Sequence, residues 1–305
     1  MRFLVVGLGA VGSVFLSFLT RAKYDAVGLL KPGRDLKSIK VEGIWGEFDQ
    51  NIKAINDPSL VPYKPDVIVI CVKSYDTEDA LKSVYKFVKE GSYILIAQNG
   101  YGNYERAVEL FGKDRVILSR VIFGAKLLKW GSVKVTVCAD DVVLGSPSGS
   151  VEEAFLKDLA HVFSQAGIPA RYEREVYKYL WEKIIYNCAL NPLGALFSAT
   201  YGQIAENSYT REIMDRIIDE IFEVLKANRI STFHTSSQEY KEHFYNKLLP
   251  PTAEHYPSML EDLKRGRTEI DALNGAIVKL AIKAGIKAPI NQVITNMIKA
   301  RENFK

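Results

Sequence analysis

The sequence predicts an α/β protein, with a parallel-sheet domain at the N-terminus and an all-helical domain after it. Short β-branched runs alternate with helical patterns through the first half. The strand-like runs stop near residue 170. Beyond that point helical stripes take over: Ile213, Ile217 and Ile221 with Ile218, Phe222 and Leu225, then Ile270, Leu273, Ile277 and Leu280 with Ala281. At 305 residues the chain exceeds one ordinary core. We place the boundary at Gly167-Ile168-Pro169-Ala170, giving domains of 1–170 and 171–305.

The elements follow in order. Phe3-Leu4-Val5-Val6 is a short apolar run that ends in glycines, and Val11 to Leu19 is long enough for a helix. Ala26 to Leu30 reads as a second buried strand. After a mixed segment around Trp45, Pro65 to Val72 is β-branched and reads as a strand buried on both faces. Residues 77–89 have helical spacing, with Gly91 as the stop. Tyr93 to Ala97 and Val116-Ile117-Leu118 add two more strands. Residues 132–145 alternate, which predicts an antiparallel addition at the sheet edge.

Composition narrows the function classes. Hydrophobic content of 48% and charged content of 25% are those of a globular protein with a full core. The net charge of +4 is spread without a basic run, so nucleic acid is not expected, whereas an anionic small ligand fits. The three cysteines, Cys71, Cys138 and Cys188, are far apart and read as reduced structural thiols. No metal is expected, because the four histidines (His161, His234, His243, His255) show no ligand spacing. No apolar run approaches the ~18 residues of a membrane span. Met1-Arg2 leads straight into a strand, leaving no room for a signal peptide, so we expect a cytoplasmic protein.

Gly7-Leu8-Gly9-Ala10-Val11-Gly12 is a G-x-G-x-x-G loop between a strand and a helix, the context a dinucleotide-binding Rossmann fold requires. Gly7 permits the tight turn, Gly9 lets the backbone approach a pyrophosphate, and Gly12 lets helix pack on strand. An acidic residue at the end of the second strand would hold the ribose 2′-hydroxyl of NAD. This chain has Leu30-Lys31-Pro32-Gly33-Arg34 there. Two cations favour a 2′-phosphate and hence NADPH, against the alternative that they are ordinary loop charges.

Ligands of open α/β sheets bind beyond the carboxyl ends of the strands. Lys73 closes one strand and Asn99 the next, and together they read as facing the nicotinamide-ribose side. Alone, each could be a solvated lysine or simple turn chemistry.

The most informative stretch is Trp181 to Leu193. It is apolar nearly all round, yet Lys183, Asn187 and Asn191 recur every four residues and so share one helical face. Burying an amine and two carboxamides is costly without partners. Either another helix or water satisfies them, or they look into a polar cleft, where a lysine could donate a proton to a carbonyl. Pro192 leaves the carbonyl of Cys188 without its helical donor. A second polar cluster runs from Tyr256 to Asp271, in which Ser258 could cap one helix and Thr268-Glu269 open the next.

These pieces together resemble the ketopantoate reductase (2-dehydropantoate 2-reductase) family. The matching features are Gly7 to Gly12, Val72-Lys73, Gln98-Asn99-Gly100, Leu180 to Lys183 with Asn187 and Asn191-Pro192-Leu193, Ser258-Met259-Leu260, Arg267 to Asp271, and Asn274-Gly275. They occur in family order over nearly the whole chain. The resemblance implies NADPH-dependent reduction of 2-dehydropantoate to pantoate, on the way to pantothenate and coenzyme A. It implies that Gly7, Leu8, Gly9, Ala10, Val11, Gly12, Lys31, Lys73, Asn99 and Ala125 contact NADPH. Lys183 would be the general acid. Asn187, Asn191, Ser258 and Asn99 would hold the 2-keto acid with Lys183, and Glu269 would serve catalysis near both substrate and nicotinamide.

Tyr201 stands where some members carry a substrate-binding asparagine, and the segment Lys264 to Thr268 is one residue shorter than in many relatives. The second departure unsettles the register of Ser258 against Glu269. Two other readings stay open: a reductase of a different 2-keto acid, and a non-catalytic NADP-binding sensor. Apolar helical surface in the second half leaves a homodimer open.

Overall fold

The computed structural model describes residues 1–304. By their internal contacts these fall into two compact units, Met1–Asn99 with Asn103–Tyr177, and Gly100–Gly102 with the chain from Lys178 onward.

The first unit is built on an eight-stranded sheet. Its elements begin β1 (Arg2–Val6), α1 (Ala10–Arg21), β2 (Asp25–Leu29), β3 (Ser38–Gly43), β4 (Phe48–Asn51), β5 (Lys53–Ile55) and β6 (Val67–Ile70). There follow α2 (Thr77–Ser83), α3 (Tyr85–Lys89), β7 (Tyr93–Ile96), α4 (Asn103–Phe111) and β8 (Val116–Arg120). Last come β9 (Phe123–Lys129), β10 (Ser132–Cys138), β11 (Val142–Gly145), α5 (Glu153–Ala166) and β12 (Ala170–Tyr172). The main sheet runs β12-β11-β8-β7-β6-β1-β2-β5. Every pairing in it is parallel except that of β11 with β8. The chain passes from β1 outward to β2 and later returns to β6 on the other side of β1, so the strand order reverses at β1. Such a switch point opens a crevice at the carboxyl ends of the strands.

Four strands form a second sheet, β4-β3-β10-β9, which corrects part of the expectation for 132–145. Of that segment, β11 does join the main sheet antiparallel, but inside β12 rather than at the edge. β10 leaves it for the second sheet, where the alternation seen in the sequence buries Ser132, Val133 and Val135 and exposes Lys134 and Thr136. The mixed segment around Trp45 supplies β3 and β4. α1 packs against β1 and β2 of the main sheet and against strands of the second. Covered on both sides, α1 is buried from Gly12 to Leu19, which explains its nearly all-round apolar sequence. Phe3, Phe15, Leu16 and Phe163 lie in that core, where Phe15 and Phe163 meet edge to face at 5.2 Å. The helix expected over 77–89 is two short ones, broken where Val84 leaves helical geometry.

The second unit is helical. It contains most of α6 (Val176–Phe197), then α7 (Tyr201–Glu206), α8 (Ser208–Ala227), α9 (Ser237–His243), α10 (Ser258–Lys264), α11 (Asn274–Lys283) and α12 (Pro289–Asn303). Of the apolar stripes, Ile217, Ile218, Ile221 and Leu225 of α8 and Ile270, Leu273, Ile277, Leu280 and Ala281 around α11 are buried, while Ile213 and Phe222 are only partly so. No helix among the described residues is long and apolar enough to cross a membrane.

Candidate active site

In the first unit the glycine loop has the geometry its spacing implies. Gly7 takes φ +89°, and its N–H donates to the Leu29 carbonyl at 3.0 Å. A Cβ on Gly12 would lie 2.0 Å from the Gly7 carbonyl oxygen, so only glycine lets α1 start this close to the loop. Gly9 is different. A Cβ there would meet nothing within 4 Å, and the residue caps α1 without side-chain help and with no acidic residue in the first turn. Open space at a helix N-terminus of this kind fits a dinucleotide pyrophosphate.

The sheet register aligns the other candidates. Val6 pairs with Ile70, and Ile70 with Ile96. Gly9, Lys73 and Asn99 are therefore each the third residue past a registered position, at the carboxyl ends of three adjacent parallel strands. A polar network that the sequence did not disclose braces two of them. Gln98 Nε2 donates to the Val72 carbonyl and to Thr77 Oγ1, both at 2.8 Å. Thr77 Oγ1 donates to Asn103 Oδ1 at 2.8 Å, and Asn103 Nδ2 to the Asn99 carbonyl at 2.9 Å. All three side chains are buried, and only the Gln98-Asn99 pair hinted at them.

Lys31 extends 69% exposed at the end of β2, but it is not surrounded by cations alone. Asp76, from the turn after β6, reaches its Nζ at 2.7 Å. A reading of the β2 loop by itself could not see this carboxylate. Arg34 stacks 5.1 Å from the centroid of the Trp130 ring. Ala125 lies in β9, paired with Val135, and packs partly buried on the core that contains α1.

In the second unit Lys183, Asn187 and Asn191 do share one face of α6, while Ile184, Ile185, Cys188 and Leu190 are buried on the others. Lys183 is half-buried, and Asn187 and Asn191 are 8% and 6% exposed. Among the described residues the Asn187 carboxamide has no hydrogen-bond partner, and that of Asn191 has one, at Oδ1, from the Tyr201 hydroxyl at 2.7 Å. Burial drives the Tyr201 phenol far above its ordinary range, so it is a neutral donor. Two nearly buried amides with unused donors have the chemistry to hydrogen-bond an acceptor-rich ligand.

Pro192 sits inside α6, and the carbonyl it deprives, that of Cys188, accepts from Asn274 Nδ2 at 3.2 Å. Asn274 is fully buried and also donates to Asn291 Oδ1 at 3.0 Å. The Asn274-Gly275 pair is thus structural at its first residue.

Ser258 is not a helix cap. Pro257 holds that position, and Ser258 is the exposed first residue of α10 with no capping bond from its side chain. Its preceding proline packs on α6, since a Cβ on Gly194 would lie 2.9 Å from Pro257 Cγ. Gly194 is one helical turn past Asn191, so Ser258 is held near the end of the polar face. Backbone bonds from Tyr201 N to the His255 carbonyl (3.0 Å) and from Gly202 N to the Ala253 carbonyl (2.8 Å) fix the same strap. Glu269 is 7% exposed and precedes a short 3₁₀ turn, Ile270–Ala272, rather than opening an α-helix. Thr268 Oγ1 accepts from Ile270 N at 3.2 Å and donates to Glu302 at 2.6 Å, which ties that turn to α12.

Known proteins match this arrangement over the whole chain. Residues 3–149 fit the model of ketopantoate reductase PanE/ApbA, and residues 175–302 fit that of its C-terminal domain. The chain belongs to the ketopantoate reductase family. A 2-dehydropantoate 2-reductase of Aquifex aeolicus is 59% identical over 304 residues, which cover 100% of this chain and 98% of that protein. The crystal structure of 2-dehydropantoate 2-reductase from Geobacter metallireducens superposes with a TM-score of 0.88 at 25% identity, covering 98% of this chain and 99% of that one. A D-mandelate dehydrogenase, solved as a ternary complex with NADH and anilino(oxo)acetate, shares the fold at a TM-score of 0.87 and 24% identity, with 99% of each chain covered. Ketopantoate reductases are nicotinamide-dependent oxidoreductases, and the open Gly9 cradle suits that cofactor.

Proposed function

We propose that the chain reduces 2-dehydropantoate to pantoate with NADPH. The first unit binds the dinucleotide through Gly7 to Gly12, Lys31, Lys73, Asn99 and Ala125, and the helical unit supplies the acid and the substrate donors. The observation that carries this reading is the α6 face, where one amine and two nearly buried carboxamides stand on an otherwise apolar helix.

Bound NADPH supplies the hydride for the C2 carbonyl carbon. Lys183 holds the proton that the C2 oxygen takes up, and a positioned acid of this kind contributes ~10²–10⁴-fold. Asn187 and Asn191 donate hydrogen bonds to the keto acid, and the Tyr201 hydroxyl turns the Asn191 amide so that its N–H₂ group faces the ligand. Ser258 adds a hydroxyl from the strap beside Gly194. Glu269, buried at the head of its turn, orients substrate and nicotinamide ends. NADPH oxidation followed spectroscopically with 2-dehydropantoate tests the reading, and the absence of turnover would overturn it.

One observation favours a second reading, a reductase of another 2-keto acid. The resemblance places a substrate-binding asparagine at this position in some members, and this chain carries the buried Tyr201 ring there, beside Asn191. A panel of 2-keto acids ranked by kcat/KM separates the two.

A further inference from the structure

We propose that Glu182, His234 and His243 form a binding site for a divalent transition-metal ion of the zinc class. None of the three stands at ligand spacing from another in the sequence, so the fold alone assembles them. Glu182 comes from α6, His234 from the segment between α8 and α9, and His243 from the last residue of α9. One donor atom of each lies within 4.8 Å of the other two.

His234 Nδ1 is 3.2 Å from Glu182 Oε1, yet it is buried without the alignment of a hydrogen bond. A buried nitrogen that close to a carboxylate oxygen, and not bonded to it, has the separation of two ligands on one tetrahedral ion, about 3.3 Å for bonds of 2.0–2.2 Å. The His243 ring lies alongside that of His234, centroids 4.9 Å apart and tilted by 35°. Two imidazoles and one carboxylate select zinc-class ions over magnesium or calcium, which prefer all-oxygen sites.

The supports are in place. The Tyr240 hydroxyl donates to the Glu182 carbonyl at 3.1 Å, and its ring meets His234 edge-on at 5.4 Å. Thr232 Oγ1 donates to the His234 carbonyl at 2.6 Å. His234 also lines an open groove with Asp219, Phe222, Thr232 and Ser236, which gives an ion a way in. Because Glu182 directly precedes Lys183, an ion here would tie α9 and the His234 segment to the turn of α6 that carries the lysine.

The test uses the full chain, stripped of metal with a chelator and titrated with zinc alone by calorimetry. The site predicts one equivalent bound with a rise in Tm. Cobalt should give the visible bands of a four-coordinate ion. His234→Gln and His243→Gln should each weaken zinc by more than about 100-fold, beyond the usual effect of changes outside the ligand shell. Imidazole NMR signals of the unsubstituted chain provide a readout independent of whether the variants fold. Zinc should perturb those of His234 and His243 and spare His161 and His255. No saturable binding, equal affinity in folded variants, or perturbation confined to His161 or His255 would overturn the proposal.

Discussion

The Tyr201 hydroxyl donates to Oδ1 of Asn191 at 2.7 Å, with both residues buried. That bond fixes which end of the carboxamide is an acceptor already in use and which is a donor still to be used. Tyr201→Phe keeps the ring and removes the donor. We expect KM for the keto acid to rise up to about 10-fold, equivalent to ~1.4 kcal/mol for one hydrogen bond to substrate. KM for the dinucleotide should not move. A purely structural tyrosine would lower Tm and leave the ratio of the two KM values untouched.

The glycine loop separates folding from binding at two neighbouring positions. Gly12→Ala puts a methyl 2.0 Å from the Gly7 carbonyl oxygen and should cost several kcal/mol or prevent folding. Gly9→Ala meets no protein atom within 4 Å. It should fold with a Tm near that of the parent and bind NADPH at least about 10-fold more weakly, because the methyl occupies the pyrophosphate approach. Fluorescence titration of NADPH with the Gly9→Ala protein checks this, and parental affinity would argue against the cradle.

Much of this was legible in the chain because local pattern and tertiary fold agree. The Gly7–Gly12 loop, the buried strand at Val67–Ile70 and the polar face of α6 each depend on residues close in sequence. What could not be read depends on pairings over long separations. The second sheet joins β3 to β10, and although both strands alternate, nothing in either one's own residues marks the other, about 90 positions away, as its partner. Asp76 reaches Lys31, Asn274 takes the Cys188 carbonyl, and Tyr201 takes Asn191, each through a contact whose partner the sequence does not mark. Ser258 shows the converse: a residue with the chemistry of a cap stands one place inside the helix, because Pro257 is wedged on Gly194.

Lys31 is held by Asp76 in an exposed pair, worth only about 0–1 kcal/mol, so a 2′-phosphate can compete for it. Lys31→Ala should therefore raise KM for NADPH several-fold and change KM for NADH little. Asp76→Asn should act in the opposite sense and tighten NADPH. Initial rates with both dinucleotides decide it. Equal effects of Lys31→Ala on the two would place the phosphate elsewhere.

Asp140 sits against Arg171, which grips it at 2.6 and 2.9 Å, and against the buried Arg120 at 2.5 Å. Burial works to raise its pKa, but the hydrogen bonds from Arg171 and Arg120 outweigh it and hold the carboxyl well below the usual range. Since the folded value lies under the unfolded value of about 3.9, the stabilisation is complete above roughly pH 4 and is lost as pH falls through the folded value. Asp140→Asn should cost about 1–3 kcal/mol at pH 7, an amount already reduced because the carboxylate is 38% exposed. The gap between variant and parent should narrow at pH 3. Urea unfolding at the two pH values measures it, and a gap that stays constant would contradict the ion pair.

The central claim is that the amine on the polar face of α6 is the proton donor. The direct measurement is turnover of 2-dehydropantoate by Lys183→Ala, with NADPH binding measured alongside. We predict a kcat lower by about 10²–10⁴-fold at nearly parental NADPH affinity. A kcat equal to that of the parent would contradict the assignment.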